Sequence, residues 1–411
     1  MAGKFAFDHP DEALRAIAEK LSVVGIEKCV DIQDGGGRVL ARSVMADRDS
    51  PAADVSAMDG YAVRISQLQL DAPVIVVGQS VPGGPPPAMP AEGVVQVFTG
   101  AIIPSGAEAV VKREDTDENI AEGDGQIRFH SVAMQTSMGE NIRRAGENAS
   151  AGKSVLPPGK LMTAADKAVA VNFGCFENDF HTPVKVGVIT TGDEVGLFVN
   201  ECPQPWQLQN SNRFALDGLL ENKPWIERCL NEHCRDDKQS LAEGLVKAIA
   251  MCDVVLMTGG VSMGDYDYVP DVVRDVGGEV VFHGLPIRPG KPILGAVTGE
   301  GKLILGLPGN PVSATIGCRR MALPLIAKIS GQTDWLPKQA VVELDAAGSK
   351  TLPLHWMRLA RLTDHGKAVV VESRGSGDLV SMAQSDGFVE VAATEPGGTC
   401  SAAGPWPFYP W

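Results

Sequence analysis

Apolar positions change their spacing along the chain, and each change marks a new kind of element. The opening stretch MAGKFAFDHPDEALRAIAEK spaces its apolar residues at helical intervals and reads as an amphipathic helix. A glycine run then leads through GGGRVLARSVMADRDSP into an alternating strand with a proline stop. From about Pro51 to Ala145 the pattern shifts to short β runs, VIVVG, VVQVFTG, AEAVVK and QIRFHSV, cut by Gly, Pro and acidic turns, which predicts a compact β domain. VLPPGKLMTAADKAVAVNFGC reads as a loop and a helix returning the chain to its first element, so that β domain is an insertion. Strands and helices then alternate. VKVGVIT precedes helical segments from about Asn212 and around Lys238 to Met251; DVVLM, a helical DYVPDVVRDVG, EVVFH, PILGAV, KLILGL and a helix opening at PVSATIGCRRM follow. Continuous apolar strands between helices predict a doubly wound parallel sheet. From Gly331 only short strands and Gly/Pro turns recur, which predicts a closing β barrel or sandwich. The expected division is 1–50 with 146–180 as a discontinuous linking domain, 51–145 as the inserted β domain, 181–330 as the α/β domain and 331–411 as the C-terminal β domain.

Composition narrows the classes. A chain of 411 residues outgrows one ordinary core. Its 44% hydrophobic and 21% charged content is that of a folded globular protein, with mainly aliphatic cores because aromatics are few. The acidic opening does not suit a signal peptide, and no apolar run reaches the length of a bilayer span, so no membrane segment is expected. Eight cysteines without a CxxC pair suit a reduced, cytoplasmic setting. Cys229, His233 and Cys234 lack a second ligand cluster for zinc and read as free side chains in a helix and connector. A net charge of −15 disfavours nucleic acid, so any anionic ligand must be held by local basic groups or helix N-termini.

Three polar turns directly follow buried-looking strands: TTGDE at Thr190 to Glu194, TGGVSMGDYDY at Thr258 to Tyr268, and LPGNPVS at Leu307 to Ser313. Ligands of open α/β sheets bind beyond the strand C-termini, the edge these turns would line. Thr191 and Gly192 belong to the first turn; Gly259, Gly260 and Gly264 let backbone approach a ligand in the second, where Ser262 adds a hydroxyl. Pro308, Gly309, Asn310 and Ser313 lead into a helix whose first N–H groups suit phosphate. The carboxylates Asp193, Glu194, Asp265 and Asp267 suit Mg²⁺, although an Asp before a helix can equally be a cap. IRPGKP sets Arg288 and Lys291 in a proline-stiffened loop, a cation pair for phosphate or an oxyanion such as molybdate. SAMDGYAVR at Ser56 to Arg64 holds an Asp-Gly pair, normally a tight turn.

SAMDGYAVR, TGAIIPSGAEAVV, ENIRRAGEN, TTGDEV, GGVSMGDYDYV, RPGKP and GLPGNPVSA follow one another as they do in the MoeA family, which includes the E domain of gephyrin. The sequence resembles that family from about Asp54 to Ala314, with weaker support at RGSGDLVSM. The resemblance implies a multidomain α/β plus β fold: an elongated first domain, the β insertion, a MogA-like pterin-binding α/β domain and a C-terminal β barrel. It implies a cytoplasmic homodimer with an active site shared between subunits. The implied reaction takes adenylated molybdopterin, with a MogA-like adenylyltransferase as an implied partner, and molybdate, and with Mg²⁺ releases AMP and forms molybdenum cofactor. By motif, Asp59, Glu194, Asp236, Asp267, Arg358 and Ser376 match positions tied to metal, molybdate or pterin, with Asp59, Glu194 and Asp267 as acceptors for Mg²⁺. Arg288 and Lys291 would neutralise phosphate during adenylate cleavage. CRDDKQSL also reads as a helix start with Asp237 as cap. Two departures stand out: Asn148 where the family usually has Asp, and Gly284 where it usually has Lys. They motivate one alternative, a pterin-binding or tungsten-handling relative without normal insertion; a second alternative, by likeness to the gephyrin E domain, is a dimeric scaffold.

Overall fold

The computed structural model describes residues 5–69, 72–118, 125–199, 202–262, 267–345, 352–394 and 404–411. It divides into two compact units, one comprising Met1–Arg42, Pro158–Lys167 and Glu177–Trp411, the other Ser43–Pro157 and Ala168–Phe176.

The first unit is built on a six-stranded sheet in the spatial order 226–234, 184–191, 254–258, 303–307, 294–297, 279–283. Alternation along its strands feeds two cores. Val184, Val186, Val188, Val254, Leu256, Leu303, Leu305 and Leu307 pack on one face with Leu216, Leu219 and Leu220 of the helix Ser211–Leu220. Ile189, Val255, Met257 and Ile304 point the other way, onto Leu241, Leu245 and Ala248 of Lys238–Met251 and Val269, Val272 and Val273 of Val269–Asp275. Each face is dry because helices cover it, and successive side chains of a strand alternate between faces.

The sheet is not wholly parallel, as the sequence suggested. Its first four strands are parallel, but Leu294–Val297 runs antiparallel to both Leu303–Leu307 and Glu279–His283. Only Thr298–Lys302 joins the first of these pairs, far short of a parallel crossover. A second correction concerns Cys229, His233 and Cys234, which lie on the edge strand Ile226–Cys234 and not in a helix. The opening helix is Pro10–Ala18, with His9 and Glu12 forming a capping box and Ala13, Leu14 and Ile17 joining the α/β core.

Five strands near the C-terminus close on themselves: His355–Leu362, Lys367–Val370, Val341–Asp345, Trp406–Pro410 and Gly387–Val391, the last pairing back with the first. Ile287–Arg288 adds a sixth, short strand beside His355–Trp356.

The second unit carries a six-stranded sheet in the order 109–112, 60–63, 94–97, 74–80, 126–129, 116–117. Asp-Gly at its first motif is no hairpin turn. Gly60 opens the strand Gly60–Val63, and a Cβ there would sit 2.0 Å from the Val111 carbonyl oxygen. Glycine is required by the closeness of the neighbouring strand.

Candidate active site

The parallel strands Val184–Thr191, Val254–Thr258 and Leu303–Leu307 end side by side, with Thr190 opposite Thr258 and Thr258 opposite Leu307. TTGDE, TGGVS and LPGNP therefore leave one sheet edge as adjacent loops. Their close spacing depends on glycine: Gly259 has φ +98°, and a Cβ on it would meet Thr191 at 2.8 Å. Gly309 has no such demand, its nearest neighbour being Gly259 Cα at 3.6 Å.

Asparagines that the sequence reading did not single out tie the loops together. Asn212 Nδ2 donates to Thr258 Oγ1 at 2.7 Å and to the Gly309 carbonyl at 2.8 Å, and Thr258 Oγ1 donates to the Pro308 carbonyl at 3.0 Å. Asn210 caps the helix Ser211–Leu220 by accepting from Arg213 N and reaches Thr190 Oγ1 at 2.7 Å. The signal was present in NSN, two asparagines around a helix start after a strand-like run. The loop Gly259–Ser262 is also held from beneath, where His283 Nε2 lies 2.8 Å from the Val261 carbonyl.

These loops border a cleft of about 800 Å³ lined by Thr191, Gly192, Glu194, Asp236, Gly259 and Gly260, continuing to Ser262, Asp267, Pro308, Gly309 and Asn310. Asp236 is fixed there by the Thr191 hydroxyl, which donates to its Oδ1 at 2.5 Å. Next to it, Asp237 accepts from Ser240 N and caps the helix Lys238–Met251, so capping and site-lining fall to adjacent carboxylates. Gly264 and Asp265 lie outside the described residues. Among the described residues no three carboxylates of this cleft bring ligand atoms within 4.8 Å of one another.

A second cavity, about 590 Å³, shares Pro292, Pro308 and Asn310 with the first and is lined by Arg288, Lys291, Ser313, Arg358 and Ser376. Arg288 enters from the short strand beside the barrel, and Lys291 Nζ lies 5.4 Å from the Phe5 ring centroid. Arg358 stacks on Trp356 at 4.5 Å, two residues away on the same strand face, with Glu372 3.7 Å from its guanidinium. Burial lowers the Arg358 pKa and Glu372 works against that shift. The helix Pro311–Gly317 begins at this wall, but the Val312 N–H donates to the Ser376 carbonyl, so that donor already joins the two walls.

In the other unit, Asp59 Oδ1 accepts from both Thr99 N at 2.7 Å and Thr99 Oγ1 at 2.8 Å. The Thr99 backbone bond, followed by its hydroxyl, lowers the Asp59 pKa. Arg144 pairs with Asp54, while Arg143 bonds Glu147 and donates to Asn148 Oδ1 at 3.0 Å. Asn148 thus offers Arg143 a neutral amide oxygen, without the charge of a carboxylate.

Residues 9–174 match the family described as MoeA N-terminal region (domain I and II), and residues 187–328 match the probable molybdopterin binding domain. The chain is 34% identical to the molybdopterin molybdenumtransferase of Haemophilus influenzae over 79% of its own length and 78% of the relative's. It is 32% identical to that of a Nostoc species, covering 87% and 83%. The chain belongs to the molybdopterin molybdenumtransferase family. A crystal structure of a MoeA protein from Pyrococcus horikoshii superimposes with a TM-score of 0.75 at 26% identity, covering 98% of this chain and 97% of that one. The multidomain α/β plus β-barrel fold expected from the MoeA resemblance is therefore the fold of this molybdenumtransferase relative. Gly284, where the sequence resemblance led us to expect a lysine, has φ +89°, a left-handed conformation that a lysine rarely adopts.

Proposed function

We propose that the chain inserts molybdenum, supplied as molybdate, into adenylated molybdopterin, with Mg²⁺-dependent release of AMP. The observation that carries this reading is the pair of adjacent cavities in the first unit. One is walled by Arg288, Lys291 and Arg358, the other by Asp236, Glu194 and Asp267, and Pro308 and Asn310 border both. An anionic substrate with phosphate at one end and an oxyanion acceptor at the other needs both kinds of wall.

Arg288 and Lys291 hold negative charge at the rim of the basic cavity, where partial desolvation strengthens charge-assisted bonds. Arg358, flattened on Trp356, presents a planar donor fork to an oxyanion, and Ser376 stands on the same wall. Glu194, Asp267 and Asp236 suit Mg²⁺, which takes one or two carboxylates and completes its shell with substrate phosphate and water. Bound there it would neutralise phosphate charge as the adenylate leaves. Thr191 and Asn212 position this edge, the former through Asp236 and the latter through Thr258 and the Gly309 carbonyl. We place the reaction in the cytoplasm and in a homodimer, following the family resemblance; a MogA-like adenylyltransferase would supply the substrate.

Purified protein incubated with adenylated molybdopterin, Mg²⁺ and molybdate should release AMP and form cofactor, and chelation by EDTA should stop release while sparing most pterin binding. Full AMP release in EDTA would overturn the metal assignment. Tight pterin binding without turnover would support a binding-only relative instead, a reading favoured by Gly284. Turnover with tungstate in place of molybdate would assign the tungsten alternative.

A further inference from the structure

Away from both cavities, the first unit contains a pocket of about 950 Å³. Five basic side chains reach it, Arg15, Lys223, Arg319, Arg320 and Lys338, against two acidic ones, Asp11 and Asp334. Such an excess of positive charge is unexpected in a chain of net charge −15. Arg320 is accounted for, since Asp11 and Glu390 pair with it. Lys223 and Arg319 are not: both are part-buried, and among the described residues neither has a carboxylate partner.

Their surroundings make this costly. Burial, then the Arg319 charge, lowers the Lys223 pKa; burial also lowers that of Arg319, and the neighbouring Arg320 charge adds to the shift. Nearby acidic protons supply no counter-charge, because burial pushes the Cys318 thiol up to about 12 and also raises the Tyr409 phenol. What the two cations do contact is neutral. Lys223 Nζ donates to the Leu219 carbonyl at 2.6 Å, and Arg319 Nε donates to the Pro410 carbonyl at 2.7 Å while stacking 5.6 Å from the Tyr409 ring. Each keeps further N–H groups beyond these bonds. Like charges held near each other in half-buried positions are stabilised by an anion. Much of the remaining wall is apolar and aromatic, with Trp225, Trp335 and Trp411 lining the same pocket beside Gln332 and Gln339.

We propose that this pocket is a second ligand site, one that takes a small planar aromatic anion with its oxyanion on Lys223 and Arg319 and its ring against the tryptophans. The ring requirement follows from the wall and the charge requirement from the unpaired cations. Neither depends on the molybdenum reaction.

Phenyl phosphate is the probe, titrated into the full chain by calorimetry and by tryptophan fluorescence, with phenol and inorganic phosphate as partial ligands. Saturable binding with a Kd of about 1 mM or tighter is expected, weakened by salt and at least about tenfold weaker for either partial ligand. Arg319→Gln and, separately, Lys223→Gln should each weaken phenyl phosphate at least about tenfold, the cost of losing one charge-assisted bond. Lys223→Arg should retain binding. Arg358→Gln, which alters the basic cavity of the proposed active site, should leave the affinity unchanged. No saturable binding to the wild-type chain overturns the proposal, as does phenyl phosphate binding that survives both Gln variants. Loss in Arg358→Gln alone would place the probe in the other cavity and overturn it too.

Discussion

Glu390 offers the sharpest quantitative test of how the first unit is held together. Its carboxylate is 5% exposed and accepts from Arg320 Nε at 2.7 Å and Tyr409 Oη at 3.0 Å, with His355 Nδ1 3.0 Å away. Arg320, 2% exposed, extends the chain to Asp11 Oδ1 at 2.6 Å, so the barrel, the π-helical turn Cys318–Ala322 that follows the helix Pro311–Gly317, and the opening helix meet in one buried ionic cluster. Burial alone would raise the Glu390 pKa; the neighbouring His355 and the Arg320 charge and hydrogen bond outweigh it and pull the value down to about 2. Against an ordinary 4.5 that favours the ionised form by roughly 3 kcal/mol, at about 1.36 kcal/mol per pH unit. Glu390→Gln preserves shape but leaves Arg320 with Asp11 alone, so a loss of roughly 3 kcal/mol is expected near pH 7, within the ~3–5 kcal/mol known for breaking a buried pair. Because the folded pKa lies below the unfolded one, this stability is present above about pH 4.5 and drains away as pH falls towards 2. Urea unfolding followed by tryptophan fluorescence reads it cleanly, since Trp206, Trp225, Trp335, Trp356, Trp406 and Trp411 all belong to the first unit. A cost below about 1 kcal/mol at neutral pH, or one that stays constant from about pH 7 to about pH 3, would refute the argument.

Arg358→Gln should raise the molybdate concentration for half-maximal turnover at least about tenfold while pterin affinity holds, and Arg358→Lys should recover only part of it, since a point charge cannot replace a stacked fork; oxyanion titrations of the insertion assay check both. Asn212→Ala removes two bonds that hold adjacent loops and should lower kcat/KM about tenfold with little change in the unfolding midpoint, as steady-state kinetics beside a urea curve would show. Gly284→Lys places a long side chain at a left-handed backbone position and should cost about 1 kcal/mol of stability without raising activity, read by the same two measurements.

Much of the candidate cleft was legible because its loops sit where strand period and turn chemistry meet. TTGDE, TGGVS and LPGNP each close a run of apolar residues, and a run buried on both faces reads as continuous hydrophobicity whatever its neighbours are. Direction is another matter. EVVFH and PILGAV look the same parallel or antiparallel; the information lay in the connection, where TGEGK between PILGAV and LILGL has room for a hairpin and none for a crossover helix. The edge strand IERCLNEHC escaped notice for the opposite reason: with one edge unpaired, its polar residues break the apolar run that marks its neighbours.

The positioning residues were hidden by a different physics. Asn210 and Asn212 act through hydrogen bonds to Thr190 and Thr258, which lie next to each other only because two strands distant in sequence pair in that register. Similarly, His283 supports a loop through the Val261 carbonyl, a contact no local pattern encodes. The glycines behave likewise. Gly60 looked like a turn residue because it follows aspartate, yet what excludes a side chain is the Val111 carbonyl some fifty residues on, brought to 2.0 Å by strand pairing. Local sequence therefore announces which loops can meet a ligand, whereas the bonds that hold those loops in place belong to register. It follows that the substitutions most damaging to this edge include ones, such as Asn212, that carry no motif.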